Sequence, residues 1–203
     1  MSSIQSREVS YQPVYTWAGP PRLEVQRAAV DRPHGQQYMS HRLVVQEGRP
    51  GAVIFAHRDG SVALVKSYRP AAGADFWELP RGFGEAEDAA KSGKGNDLSD
   101  EEAMVQAGLR ELGEETGLSA IQWRLLGVYV LDPSIYPTKV GVVWADVGGG
   151  EPADTDGEIE SLVWVRLTEF PGLVASGALR DAHSLAALAI LWGSQQGGAH
   201  IPD

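Results

Sequence analysis

The chain has 203 residues and no cysteine. Disulfides, thiolate metal sites and cysteine nucleophiles are therefore excluded, while the compartment stays open. Long apolar runs are also missing. The longest, Leu185 to Trp192, is far short of the ~20 residues that a membrane-spanning helix needs. Met1 to Tyr11 is polar and lacks the apolar core of a secretory leader. Positive charge is scarce: 17 Lys and Arg stand against 27 Asp and Glu, a net charge of −10. That balance argues against a nucleic-acid backbone as partner. The five histidines lie far apart and form no H-x-x-x-H pair, so a zinc site has no footing. No serine stands in a G-x-S-x-G elbow. Gly93-Lys94-Gly95 lacks both the Ser or Thr after the lysine and the glycine five positions before, so it is not a phosphate loop. The expectation is a cytoplasmic protein that touches neither membrane nor nucleic acid.

What is present is an ordinary globular composition, 43% hydrophobic and 22% charged, on a chain long enough for one sizeable domain and a small appendage. Residues 1–16 read as a loose terminus. Arg22 to Val30 and Tyr38 to Gln46 read as strands around a Pro33-His34-Gly35 turn. The break at Glu47-Gly48-Arg49-Pro50-Gly51 separates a small N-terminal β-hairpin unit, residues 1–47, from a main domain, residues 48–203. Ala52 to His57 and Ser61 to Ser67 flank Arg58-Asp59-Gly60, a strong hairpin signal. Ile121 to Leu131, Val140 to Val147 and Glu160 to Val165 read as further strands. Thr168-Glu169-Phe170 opens a short helix, and Arg180 to Trp192 forms the last one.

The chemistry concentrates in Arg110-Glu111-Leu112-Gly113-Glu114-Glu115-Thr116-Gly117-Leu118. On a helix Glu111, Glu114 and Glu115 project to one side, and Arg110 is one turn from Glu114. Ser99-Asp100-Glu101-Glu102 has the form of a capping box that starts this helix, and Gly117 ends it. Carboxylates crowded on one face repel, so the helix gains nothing from them unless hard cations such as Mg²⁺ bind there. Bound cations would also reconcile a chain of charge −10 with an anionic substrate.

The order R-E-U-x-E-E-x-G-U (U aliphatic) resembles the signature helix of the Nudix hydrolases. Five fixed residues at about one in twenty each make chance agreement roughly a few in ten million per start point. Tyr68-Arg69-Pro70, Phe76-Trp77-Glu78-Leu79-Pro80 with Arg81-Gly82, and Gly177 to Leu188 are similar to the ADP-ribose pyrophosphatase branch of that family. So is Pro133, sixteen positions past Gly117. The chain departs from the pattern after Gly82. The family spacing from Gly82 falls on Asp88, whereas the spacing back from Arg110 falls on Glu102, with about fourteen residues inserted, roughly Ala86 to Leu98. The insert has no periodic apolar face and is expected to be a mobile loop.

The resemblance implies an α+β fold, an α/β/α sandwich around a mixed sheet. It implies Mg²⁺- or Mn²⁺-dependent hydrolysis of a nucleoside diphosphate linked to another moiety, with ADP-ribose first, to AMP and ribose 5-phosphate. Another nucleotide sugar such as GDP-mannose, a dinucleotide, or a binding module without catalysis are the alternatives. An isoprenyl diphosphate isomerase of this superfamily calls for a catalytic cysteine, which is absent. Glu111 and Glu115, assisted by Glu114 and a main-chain carbonyl near Arg81, would hold the metal. Arg69, Tyr68, Glu78 and Pro133 belong to the substrate pocket. Arg110 and Glu102 would orient the ligands. A metal-bound carboxylate has little basicity left, so the general base should lie outside the helix. The branch takes it from the loop here spanning Gly148 to Gly157, which makes Glu158 first choice and Glu160 the reserve. The N-terminal strands imply a homodimer, because a lone hairpin cannot bury its own apolar positions.

Overall fold

The structure is a computed structural model, and it describes residues 9–32, 35–85, 88, 98–149 and 159–196. The first strands form a separate three-stranded antiparallel sheet: β1 (Gln12–Trp17), β2 (Leu23–Asp31) and β3 (Gln37–Val45), in that order. The stretch read as a loose terminus thus contains a strand. Its side chains are exposed along the whole length, so no burial alternation marks it.

The main sheet holds β4 (Gly51–Arg58), β5 (Ser61–Arg69), β6 (Ala74–Glu78), β7 (Arg81–Gly82), β8 (Ala120–Asp132), β9 (Tyr136–Val147) and β10 (Ser161–Arg166). Its main path runs β10-β5-β4-β9-β8, with β6 on β5 and β7 on β4. The β4–β9 pair is parallel and the other pairs are antiparallel, so the sheet is mixed. The β4–β5 turn has Asp59 and Gly60 at φ 52° and 74°, the left-handed pair expected of an Asp-Gly hairpin.

Helix α1 (Asp100–Thr116) packs on one face of the sheet, α2 (Phe170–Ser176) and α3 (Ala182–Gln196) on the other. Neighbouring residues of β4 show why both faces are filled. Ile54 joins Ala107, Leu112 and Val143 beneath α1, whereas Phe55 joins Trp144, Leu188 and Leu191 beneath α3. Successive strand side chains point to opposite faces, so an all-buried β4 needs a helix on each. This is the expected α/β/α sandwich. Among the described residues no helix is long and apolar enough to cross a membrane.

Both ends of α1 follow the capping rules. The Glu102 N–H donates to Ser99 Oγ at 3.3 Å, and Glu102 Oε2 accepts the Ser99 N–H at 3.1 Å. Gly117 closes the helix at φ 67°, where its N–H donates to the Gly113 carbonyl.

Candidate active site

Three bonds fix the turn at residues 79–82. The Leu79 N–H donates to Ser184 Oγ on α3 at 2.9 Å, and the Pro80 carbonyl accepts from Ile54 N–H of β4 at 2.9 Å. The Arg81 N–H donates to Glu115 Oε2 on α1 at 3.2 Å. Gly82 lies against the Glu111 carboxylate so closely that a Cβ there would overlap it. The turn and the acidic face of α1 are therefore one unit.

Beneath this unit Glu78 is 1% exposed and holds two arginines. Arg69 donates to it through Nε (3.1 Å) and Nη2 (2.6 Å), and Arg81 Nη2 lies 3.1 Å away. A buried carboxylate needs such partners to stay charged. Glu78 thus acts through Arg69 and Arg81, which line the cleft, and does not line it itself.

Arg110 is the hub of the other wall. Nη1 donates to Glu114 at 2.5 Å, Nη2 to the Phe83 carbonyl at 2.6 Å, and Nε to Asp88 at 2.9 Å, while Glu111 Oε1 lies 2.8 Å from Nη2. Asp88, which the spacing from Gly82 selects, bonds to Arg110. Glu102 stands at the far end of α1, where its carboxylate closes the capping box. The sequence held the signal, since the spacing from Gly82 selects Asp88. The insert made that spacing and the spacing from Arg110 disagree. Asp88 is itself buried, so the stretch expected to be a mobile loop is fixed at this point. The rest of that stretch, apart from Leu98, lies outside the described residues.

The cleft has a volume of about 490 Å³ and is lined by Arg69, Arg81, Gly82, Phe83, Glu85, Arg110, Glu111, Glu114 and Glu115, with Pro20, Pro21 and Gln46 from the N-terminal sheet. Its size suits a nucleotide-scale ligand. Glu85 and the three N-terminal residues were not anticipated. The latter reach the cleft only through tertiary packing, which leaves no local mark in sequence. Burial pushes Glu111 up to about 7 against the pull of Arg110, and the charges of Glu114 and Glu85 add to the rise. Burial and then the charge of Glu111 push Glu115 up to about 8, against the Arg81 N–H and the nearby guanidiniums. Two buried carboxylates that resist ionising one turn apart are a donor set that a hard cation would satisfy. Among the described residues no three His, Asp or Glu side chains yet converge on one point. Arg110 draws Glu111 and Glu114 toward itself instead.

Other expected site residues lie elsewhere. Tyr68 is exposed on β5 and does not line the cleft. Pro133 is in the β8–β9 turn, two residues before Ile135, whose carbonyl accepts from Leu43 N–H of β3 at 2.7 Å. Glu160 pairs with Lys66 at 2.6 Å and is not among the cleft residues. Glu158 lies outside the described residues.

A sandwich whose mixed sheet carries an R-E-L-G-E-E helix against a glycine turn defines the Nudix class of fold. A family model of the NUDIX domain matches residues 48–188, and the chain belongs to that family as a Nudix hydrolase. Its fold is similar to the crystal structure of an ADP compounds hydrolase, with a TM-score of 0.69 and 19% identity, over 98% of this chain and 100% of that one. No curated protein matches the sequence.

Proposed function

We propose that the protein is a cytoplasmic, metal-dependent pyrophosphohydrolase of nucleoside diphosphates linked to a second group, with ADP-ribose as first substrate. The observation that carries this reading is the composition of the cleft. One wall is acidic (Glu85, Glu111, Glu114, Glu115) and the other contributes the guanidiniums of Arg69 and Arg81.

Glu111 and Glu115, with Glu114 beside them and the Arg81 peptide against Glu115, would hold Mg²⁺ or Mn²⁺. Held there, such a cation would supply charge to neutralise the diphosphate and would lower the pKa of a bound water. Arg69, braced by Glu78, presents a fixed guanidinium to a phosphoryl oxygen. Arg110 sets the rotamers of Glu111 and Glu114. A proton acceptor from outside α1, for which we take Glu158 ahead of Glu160, completes the reaction. One neighbour of known structure is an ADP compounds hydrolase, and this supports the choice of ADP-ribose.

The exposed Tyr15, Trp17 and Met39, which the strand register puts on one face of the first sheet, support a homodimer built on that face. The test of the activity is a phosphatase-coupled phosphate-release screen over ADP-ribose, GDP-mannose and dinucleotides with Mg²⁺ and Mn²⁺. Turnover of ADP-ribose above the others supports the reading, and no turnover of any of them removes it.

A further inference from the structure

The turn that faces the acidic helix is also held from the opposite layer of the sandwich. Strand β6 ends at Glu78 and pairs with β5, whereas β7 starts at Arg81 and pairs with β4. Leu79 and Pro80 carry the chain from one pairing to the other, and across them it changes layer. Leu79 is fully buried in the core beneath α3, while the Arg81 N–H bonds to Glu115 of α1. Proline has no N–H, so Leu79-Pro80-Arg81 has donors only at its ends.

Glu115 takes the donor at one end and Ser184 the donor at the other. The buried Leu79 N–H has no access to water, and Ser184 Oγ accepts it at 2.9 Å. Ser184 is itself fully buried, and its own N–H donates to Asp181 Oδ1 at 2.9 Å. Asp181 stands at the cap position before α3 and fixes the first turn of that helix, hence the place of the Ser184 hydroxyl. This arrangement costs stability. Asp181 is buried, and its Oδ2 has no hydrogen-bond partner among the described residues. A cap at the surface would hold the helix with both oxygens hydrated, so stability alone does not call for a buried one.

We propose that Ser184 is a positioning residue for the metal site, an assignment that rests on the metal-dependent reading above. Asp181 places the Ser184 hydroxyl, and the hydroxyl anchors Leu79. Through Pro80, whose φ is fixed, that anchor sets the Arg81 peptide against Glu115. The Ile54 N–H on the Pro80 carbonyl holds the middle of the turn, and Ser184 and Glu115 hold its ends. Without Ser184 Oγ the Leu79 N–H is left without an acceptor, and the turn shifts to find one. The Arg81 N–H then moves relative to Glu115 Oε2, and Gly82, which lies against Glu111, moves with it. The carboxylates of α1 are in this way tuned from a helix on the far side of the sheet, by residues that are not among those lining the cleft.

The test measures Mn²⁺ binding by electron paramagnetic resonance, so its readout does not depend on turnover. In Ser184→Ala the Mn²⁺ dissociation constant should rise about tenfold, the scale for losing a group that supports a metal ligand. Leu191→Ala is the control. Leu191 lies on the same helix and is fully buried in the same core, but takes no part in the hydrogen bonds of the turn. Its loss leaves a cavity that lowers the melting temperature, and the Mn²⁺ constant should stay within about twofold. An equal loss of binding in Leu191→Ala overturns the proposal. If Ser184→Ala does not fold, Asp181 decides. Asp181→Ala removes the cap and should weaken Mn²⁺ about threefold, because Ser184 keeps its acceptor and loses only its anchor. Asp181→Asn keeps a cap of equal rank and should bind as the wild type does. Equal binding by these two variants overturns the proposal as well. A wild type that binds Mn²⁺ while Ser184→Ala binds it as tightly sinks the positioning role alone. A wild type that binds no Mn²⁺ sinks the metal-dependent reading beneath it.

Discussion

Asp88, near the start of the insert, and Arg110 of α1 meet in a 2.9 Å ion pair that is closed to solvent, with side-chain exposures of 3% and 6%. The second Asp88 oxygen accepts the Glu85 N–H at 2.7 Å, so one aspartate ties the cleft rim to the signature helix. Asp88→Ala would leave a buried guanidinium short of a partner, which costs ~3 kcal/mol. At ~2–4 °C per kcal/mol for a chain of this size, the melting temperature should fall by ~6–12 °C. An unchanged melt would show that the pair contributes nothing.

That pair also shows where sequence reasoning reached and where it stopped. The helix from Ser99 to Gly117, the Asp59-Gly60 hairpin and the Arg110–Glu114 contact were legible because each depends on residues within a few positions of one another. The two family spacings disagreed, one selecting Asp88 and the other Glu102, and only the folded chain shows Asp88 bonded to Arg110. Strand β1 was missed because an exposed strand carries no apolar alternation. Pro20, Pro21 and Gln46 were missed because their place at the cleft is set by how one sheet docks beside another.

Turnover should depend on the charge of Glu115. Glu115→Gln keeps the shape that accepts the Arg81 N–H but removes a ligand charge from a residue only 5% exposed. Activity should drop by about two powers of ten or more, with the fold intact by circular dichroism. Full activity in the variant, or in wild type held in chelator, would falsify the metal assignment.

The same carboxylates set a pH dependence. Glu111 and Glu115 rise from an ordinary 4.5 to about 7 and about 8. Between those limits the native state binds more protons than the unfolded chain, so rising pH removes stability. His183 works in the opposite sense. Burial, with Arg81 nearby, holds it down to about 4, so stability rises with pH between there and 6.5. Above pH 6.5 the carboxylates prevail, and the metal-free protein should melt earlier at pH 8 than at pH 6.5. Added Mg²⁺ should raise the melting temperature more at pH 8, where its ligands are ionised. A larger Mg²⁺ effect at pH 6.5 would contradict these assignments.

Gly82 is required by its neighbour rather than by its own backbone, since its φ is not left-handed. A methyl group at that position would occupy the space of the Glu111 carboxylate. Gly82→Ala should therefore displace Glu111 and lower activity and Mn²⁺ affinity together by at least ~10-fold, the scale for disturbing a metal ligand's support. Mn²⁺ binding followed by electron paramagnetic resonance gives the affinity. Wild-type binding in this variant would mean that Glu111 is free to move aside.

The base is the part of the chemistry that needs a residue beyond α1. In-line attack on phosphorus calls for an acceptor of the water proton. Glu111 and Glu114 are committed to Arg110, and Glu115 is buried against the turn. Glu160 is held by Lys66, which Asp75 also meets at 3.0 Å, and recruiting it would mean breaking that ion pair. Glu158 lies outside the described residues and remains our first choice on the family resemblance. Glu158→Gln should lower kcat by ~10²–10⁴ while KM changes little, as expected when a group acts only in the transition state. Steady-state kinetics on ADP-ribose decide among three results. Loss in Glu158→Gln alone supports the choice. Loss in Glu160→Gln alone transfers the role to Glu160 and implies that its bond to Lys66 opens during turnover. Near-normal kcat in both removes the 148–160 segment as the source of the base.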